Sequence, residues 1–189
     1  MSTDWTLEFR VERYRPYLIG LARVQLAMAG PARYKLDASD LVQEVLMKAH
    51  LAKRQFRGQT PEEFAAWLRR ILANRLADEQ RRFFRKKRDA GLEETYRETL
   101  DESAARLHKL PVATLTSPTQ KLARQERELL LAGALDSLPE DQRVAVELRY
   151  IAEWSLADIA GFMQRSKPSA AGLLRRGLKR LRQKLERME

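Results

Sequence analysis

The 189-residue chain has no cysteine and only two histidines, which excludes disulfides and thiolate metal sites and makes a zinc site unexpected. Eight glycines, seven prolines and 7% aromatic residues disfavour an all-β fold with its many turns. No run approaches the roughly 18 apolar residues of a membrane span, and the N-terminal stretch is charged from Asp4 onward, unlike a signal peptide. We therefore expect a cytoplasmic protein that has no membrane partner, metal or cofactor.

Positive charge is concentrated in two stretches of the chain. Residues 64–88 carry nine lysines and arginines against two acids, and residues 165–187 carry nine against one, giving +7 and +8. Residues 89–103 carry six acids and one arginine, so the three stretches together account for the whole net charge of +10. Solvated helix faces would give such patches, but two basic patches around an acidic segment favour a polyanion bound at two places.

Most of the chain has the composition and spacing of amphipathic helices. The stretch "TPEE" at Thr60–Glu63 combines an N-cap, a proline at the first helical position and a capping glutamate. Similar starts occur at Ser117–Gln120, Ser137–Glu140 and Ser155–Asp158. Residues 89–119 lack such regularity. We predict an all-α fold of two small helical domains, residues 1–88 and 120–189, joined by a flexible acidic linker over residues 89–119.

The C-terminal domain has the pattern of a helix-turn-helix. A short helix, "LADIAGFM", is followed by a tight turn and a longer basic helix with Pro168 in its first turn. A leucine stripe at Leu174, Leu178, Leu181 and Leu185 defines the predicted inner face of that helix. Gly172 then lies on the outer face, where glycine costs about 1 kcal/mol of helix propensity. Close approach to DNA and simple tolerance of an exposed glycine both explain it.

Three motifs resemble the extracytoplasmic-function group of bacterial sigma factors. They are "DASDLVQEVLMKAH" at Asp37–His50, "FRG" followed by "FAAWLRRILANRLADEQRR" at Phe64–Arg82, and "LPEDQRVAVELRY…SLADIAGFM". The resemblance covers most of the chain, with the motifs in the family's order and spacing. It implies a non-enzymatic subunit that binds core RNA polymerase, recognises promoter DNA at two elements, both double-stranded and melted, and directs transcription initiation.

The resemblance also assigns residues to three surfaces. The first motif is expected to dock on the coiled coil of the largest polymerase subunit through Asp40, Leu41, Gln43 and Glu44. The second is expected to melt and hold the downstream promoter element through Phe56, Arg57, Gly58, Gln59, Asn74, Arg75, Asp78, Arg81 and Arg82. The residues expected at the upstream element are Lys167, Ser169, Ala171, Gly172, Leu173, Arg175, Arg176 and Lys179.

The chain departs from the family pattern at the start of its last helix. Ala171, Gly172 and Leu173 stand where the family usually has polar or basic side chains. Little direct base readout is then expected, apart from Ser169 and contacts of small apolar groups with thymine methyls. Phosphate contacts would dominate and give a strong salt dependence. The family also often has an anti-sigma partner, which would cover the polymerase-docking face.

Two other functions are consistent with parts of the sequence. A free-standing helix-turn-helix regulator would need only the C-terminal domain, and it leaves the "DLVQE" helix unexplained. A nuclease would need metal ligands, for which Asp37, Asp40 and Glu44 are the candidates. Docking explains Asp40 and Glu44 adequately, so the sigma-factor hypothesis is preferred.

Overall fold

The computed structural model describes residues 10–30, 36–84, 90–107, 110 and 124–187, and all regular structure in these residues is helical. The predicted all-α fold is therefore confirmed. The chain divides into two compact units, residues 1–102 and residues 103–189. The division falls within the interval for which the sequence predicts a linker. None of the helices in the described ranges is long and apolar enough to cross a membrane.

Between residues 10 and 84, the described part of unit 1 contains three helices and two short 3-10 turns, Val11–Tyr14 and Lys53–Gln55. Helix α1 spans Arg15–Met28, α2 spans Ala38–Ala52 and α3 spans Pro61–Phe84. Helix α2 packs against both α1 and α3. The core of unit 1 is apolar along the predicted helical stripes, and its fully buried side chains include Tyr17, Leu18, Leu21, Val42, Val45, Leu46, Phe64, Leu68 and Leu72.

Helix α4, Ala90–Leu107, lies inside the predicted linker and is an element that the sequence prediction missed. Its composition hides it, because five acids and three glycine or threonine residues leave few apolar positions in residues 90–102. Leu100, Ser103, Ala104 and Leu107 are nonetheless buried at helical spacing. The limits drawn from the sequence for the two domains stay predictions.

Unit 2 contains α5 at Arg124–Asp136, α6 at Glu140–Tyr150, α7 at Leu156–Phe162 and α8 at Lys167–Glu186. Helix α8 packs on α5, α6 and α7 through its buried residues Ala170, Leu173, Gly177, Leu181 and Leu185. The predicted leucine stripe is rotated slightly, since Leu174 and Leu178 are only half-buried.

Gly177 is the glycine that permits close helix packing in α8. A Cβ added there would lie 2.9 Å from Cγ2 of Val146 and 3.1 Å from the carbonyl oxygen of Gln142 on α6. At Gly172 an added Cβ would meet only the Arg176 side chain, at 3.2 Å from Nη1. The packing requirement therefore falls on Gly177, while the protein itself leaves room for a side chain at Gly172.

Several predicted helix starts are confirmed by their hydrogen bonds. Glu63 and Thr60 form the reciprocal capping box of α3, and Ser155 and Asp158 form that of α7. The start predicted at Ser137–Glu140 is wrong in its cap. Pro139 occupies the N-cap of α6, and the Ser137 hydroxyl donates to the Ala134 carbonyl instead. The start at Ser117–Gln120 lies outside the described residues.

Candidate functional site

The outer face of α2 carries most of the residues predicted to dock on a partner. Asp40 and Gln43 are exposed, and Glu44 is half-exposed one turn after Asp40. Leu41 is not on this face, because its side chain is buried in the core with 3% exposure. The prediction that Leu41 contacts a partner is therefore wrong, because Leu41 packs α2 onto the core of unit 1.

Two exposed apolar side chains extend this face and were missed from the sequence. Met47 is 57% exposed and Leu51 is 78% exposed, and they follow Gln43 at intervals of four residues. Both fall out of phase with the buried positions Val42, Val45 and Ala49, which is the signal that could have found them. An exposed apolar pair beside acids and an amide is suited to a partner that is both basic and apolar.

The sequence predicts that Arg75 lines an open polar face of α3, and this prediction is wrong. The Arg75 side chain instead forms hydrogen bonds with two carboxylates inside unit 1. Its Nε donates to Glu44 Oε2 at 2.6 Å, its Nη2 to Glu44 Oε1 at 3.1 Å, and its Nη1 to Glu79. The Arg75 side chain is only 9% exposed. The hydrogen bonds to Glu44 raise the pKa of Arg75, and the same bonds lower the pKa of the Glu44 carboxyl. Residues predicted for two different partners are thus paired with each other.

The loop Phe56–Gln59 is held in place at both ends. The Phe56 ring packs on Phe64 and Trp67, with centroid distances of 5.1 and 5.4 Å. It also covers Gly58, where an added Cβ would lie 2.7 Å from the ring atom Cε2. At the other end the Gln59 amide donates to Glu63 Oε2 at 2.6 Å. Phe56 is therefore a fixed, half-buried wall of the loop.

Arg57 and Gln59 are the exposed side chains of this loop. The backbone amides of Gln59 and Thr60 both donate to the Glu63 carboxylate and lower the pKa of that carboxyl. The capping box of α3 thus fixes the loop that carries these two residues. A rigid backbone presenting a cation and an amide beside an aromatic wall can hold an unpaired base against solvent.

The polar side of α3 beyond this loop is only partly open. Asn74 and Arg82 are exposed, and Asp78 is half-buried. Arg81 donates to Asp78 and, through Nη1 at 3.1 Å, to Glu93 of α4, and its side chain is 13% exposed. The hydrogen bond to Asp78 is the main cause of a raised Arg81 pKa. The prediction that Arg81 faces nucleic acid is therefore corrected for this conformation.

Three side-chain contacts place α4 antiparallel to α3 along unit 1. Arg81 meets Glu93, the Tyr96 hydroxyl donates to Gln80 at 2.6 Å, and Arg69 Nε donates to Asp101 at 2.6 Å. As the residue number of the contact on α4 increases, the residue number of the contact on α3 decreases. The acidic segment thus neutralises two arginines of the first basic patch.

The start of α8 presents small side chains with cations behind them. Ser169, Ala171 and Gly172 are half-buried. Lys167, Arg175, Arg176 and Lys179 are exposed and form no ion pair among the described residues. Leu173 is corrected, because its side chain is buried with 7% exposure and cannot reach a thymine methyl. The face can bind phosphates through its cations and approach bases through small groups.

The imagined metal ligands do not assemble in the described part of the chain. No group of three or more histidine, aspartate or glutamate side chains that could hold a metal is present there. Asp37 caps α2 by accepting from the Ser39 amide at 2.7 Å, and Glu44 is engaged by Arg75. Asp37 and Glu44 are therefore both occupied by contacts within the protein.

Two protein-family models match the chain in order. Residues 10–88 match "Sigma-70 region 2" and residues 128–181 match "Sigma-70, region 4". The "ECF RNA polymerase sigma-E factor" of Escherichia coli K12 is 28% identical over 127 residues, or 67% of this chain and 62% of that protein. The "RNA polymerase sigma-H factor" of Pseudomonas aeruginosa is 30% identical over 128 residues, or 68% of this chain and 62% of that protein. The aligned part thus spans less than two thirds of these relatives.

Proposed function

The chain belongs to the sigma-70 family, in its extracytoplasmic-function group, and on that premise we propose that it binds core RNA polymerase, recognises promoter DNA at two elements and directs transcription initiation. The observation that carries the proposal is that one chain has two kinds of surface. Unit 1 has an exposed face on α2 next to the basic helix α3, and unit 2 has a helix-turn-helix lined with cations. The protein itself would catalyse no reaction.

The proposed polymerase-docking face consists of Asp40, Gln43, Met47 and Leu51 on α2. Its exposed acid and amide would bind cations of the partner, and its two apolar side chains would fill a hydrophobic groove. The coiled coil of the largest polymerase subunit is the proposed partner, because a basic, amphipathic helix pair complements such a face. An anti-sigma factor would act by covering the same four residues.

The proposed downstream-element surface is the loop Phe56–Gln59 together with Asn74 and Arg82. The loop is preorganised by its aromatic packing and by Glu63, so little ordering entropy is lost when it binds an unpaired base. Asn74 and Arg82 offer an amide and a cation on the exposed side of α3. Promoter melting would be favoured because these groups bind the separated strand and not the duplex.

The proposed upstream-element surface is the start of α8. Its small residues allow the helix backbone to lie deep in the major groove, and Lys167, Arg175, Arg176 and Lys179 bind phosphates on either side. Such a surface anchors strongly and reads few bases. Most promoter discrimination is then expected from the loop and α3 in unit 1.

Run-off transcription tests the proposal directly. The purified protein is mixed with core polymerase on a library of genomic fragments, and discrete transcripts are compared with those made by core alone. We expect a small set of fragments with defined start sites that depend on the protein. If no fragment gives a start site above the core background, the protein is not a sigma factor. Binding of the same fragments without any stimulation of transcription would instead favour the free-standing regulator.

A further inference from the structure

We propose that Glu44 and Arg75 are positioning residues that join the polymerase-docking helix α2 to the strand-binding side of α3. This inference rests on the proposed function and deepens it. In this arrangement Glu44 acts on promoter opening through Arg75, and it is not primarily a contact to polymerase. The family resemblance places Glu44 in the docking set and Arg75 in the DNA set; the contacts between them suggest a shared role.

The contacts form a continuous chain from one helix to the other. Both carboxylate oxygens of Glu44 accept from Arg75, at 2.6 and 3.1 Å. The third donor of Arg75, Nη1, binds Glu79 Oε1. The same Glu79 oxygen accepts from Arg82 Nη1 at 3.2 Å. Glu44 therefore reaches Arg82 through two shared side chains.

Exposure along this chain shows which groups can meet a partner. Glu44 is 46% exposed at one end and Arg82 is 75% exposed at the other, while Arg75 and Glu79 between them are 9% and 16% exposed. The two central groups are shielded from water, so their charges must be satisfied by each other and by the two ends. A change at the α2 end is expected to alter the hold on Arg82.

Arginine is required at the centre of this chain. A planar guanidinium can bind one carboxylate with two parallel donors and a second carboxylate with a third. Lysine carries the same charge and a similar apolar stem, but its single ammonium cannot keep this fixed geometry. Glu79 would then be held less firmly, and Arg82 would sample more orientations on the exposed side of α3.

Asp40 provides the matched control for Glu44. It lies one turn earlier on the same exposed face of α2, and it forms no ion pair among the described residues. Asp40→Asn and Glu44→Gln each remove one negative charge from the outer side of α2. Only Glu44→Gln also removes a charge from the chain that reaches Arg82.

The first experiment compares these two variants on two templates. The templates are a promoter fragment identified by run-off transcription and the same fragment with its start region pre-melted. Affinity for core polymerase is measured separately by titration. We expect Glu44→Gln to slow transcription from the duplex about tenfold, as for a broken coupling within one ion network. On the pre-melted template its deficit should largely disappear. Asp40→Asn should instead weaken core binding and show the same deficit on both templates.

The second experiment uses Arg75→Lys, with thermal unfolding as the check on folding. We expect its duplex transcription to fall to a similar extent as that of Glu44→Gln, with the same rescue on the pre-melted template. Combining Arg75→Lys with Glu44→Gln should add little further loss, because both changes break one pathway. A folding defect would lower transcription on both templates and would not be rescued.

Two results would overturn the inference. One is a Glu44→Gln deficit that is equal on both templates and matches its loss of core affinity, which would make Glu44 a simple docking residue. The other is additive losses for Glu44→Gln and Arg75→Lys. Failure of the proposed function is distinguishable from both, since the unchanged protein would then give no run-off product.

Discussion

The arginines of α3 and the cations of α8 carry similar formal charge, but they stand in opposite electrostatic situations. Four of the five arginines of α3 bind carboxylates of unit 1, namely Arg69, Arg75, Arg81 and Arg82. In α8, no lysine or arginine from Lys167 to Lys184 forms an ion pair with any described residue. Net charge along the sequence therefore does not tell how much charge is available to a ligand.

The difference separates two uses of arginine. A guanidinium shielded from water and bound to two carboxylates fixes the geometry of its neighbours, as Arg75 does. An exposed cation without a partner keeps its charge for phosphates and releases counterions when it binds them. Most arginines in the described part of the first basic patch thus stabilise unit 1, whereas the second patch keeps its cations available for the proposed contacts with phosphates.

Removing free cations from α8 should give the largest effect. Arg175→Ala, Arg176→Ala and Lys179→Ala together should reduce the slope of log affinity against log salt by about 3 and weaken duplex binding about a hundredfold at low salt. Fluorescence anisotropy with the full chain and a labelled duplex measures both. Thermal stability should change little, because these side chains contact no carboxylate among the described residues.

The control for this variant removes the same charge farther along α8. This control carries Arg180→Ala, Arg182→Ala and Lys184→Ala, at positions closer to the end of α8 than the proposed upstream-element surface. It should lose clearly less affinity for the duplex than the first triple variant. Equal losses for the two triple variants would mean that α8 acts as a diffuse positive surface with no defined phosphate contacts.

Substitutions on the inner face of α8 should change the free energy of unfolding and leave the charge of the helix unaltered. At Gly177→Ala the new Cβ meets Val146 and the Gln142 backbone, so we expect destabilisation by about 1–2 kcal/mol despite the better helix propensity of alanine. At Gly172→Ala the new Cβ meets only the flexible end of the Arg176 side chain, so this variant should be stabilised by up to about 1 kcal/mol. Urea unfolding of both variants tests this. A stabilised Gly177→Ala protein would show that α6 and α8 can separate freely.

Releasing arginines on α3 should make unit 1 more like α8. Glu93→Gln with Asp101→Asn removes the carboxylates that α4 places on Arg81 and Arg69. The control is Glu94→Gln with Glu98→Gln, which removes the same charge from side chains that do not contact α3. We expect the first double variant to bind duplex DNA two- to fivefold more tightly than this control, because a single exposed ion pair is worth about 0.2–1 kcal/mol. If both double variants bind equally, long-range charge alone sets the affinity.

Helix positions followed from the sequence where an apolar stripe met a capping signal. The start of α3 shows this, since Thr60, Pro61 and Glu63 give the cap and Phe64 and Leu68 give the buried face. Helix α4 lacks both signals and was missed. Its buried residues occur late in the helix, and two of its acids, Glu93 and Asp101, bind arginines of α3 that come earlier in the chain.

Side-chain pairing at the candidate site could not be predicted in the same way. Glu44 and Arg75 are 31 residues apart, and their bond depends on how α2 crosses α3. Leu41 and Leu173 were assigned to binding faces by motif position, and small rotations of their helices bury them. Local periodicity defines a face to within about one residue, which is not enough to separate a contact from a core position.

The smallest expected effect is a difference in acid sensitivity that Glu44 gives to unit 1. Hydrogen bonds from Arg75 hold the pKa of the Glu44 carboxyl below its usual value. A carboxyl whose pKa is lower in the folded state stabilises that state above its unfolded pKa of about 4.3, and this contribution is lost as the pH falls through the folded pKa. Unit 1 of the unchanged protein should therefore lose stability below about pH 4 more steeply than unit 1 of Glu44→Gln, which has no such group to protonate.

Tryptophan fluorescence isolates unit 1 in a Trp154→Phe background, because the two remaining tryptophans lie within residues 1–102. Urea midpoints measured from pH 7 to pH 3 should converge for the two proteins as the pH falls, since protonation of Glu44 removes the charge that the substitution has already removed. Midpoints that stay parallel over this range would mean that the Glu44–Arg75 pair contributes nothing to the free energy of unfolding. Arg75 would then be held in place by Glu79 alone. The arginines of α3 would still differ from the exposed cations of α8 in their burial, but the ion pair with Glu44 would not be part of that difference.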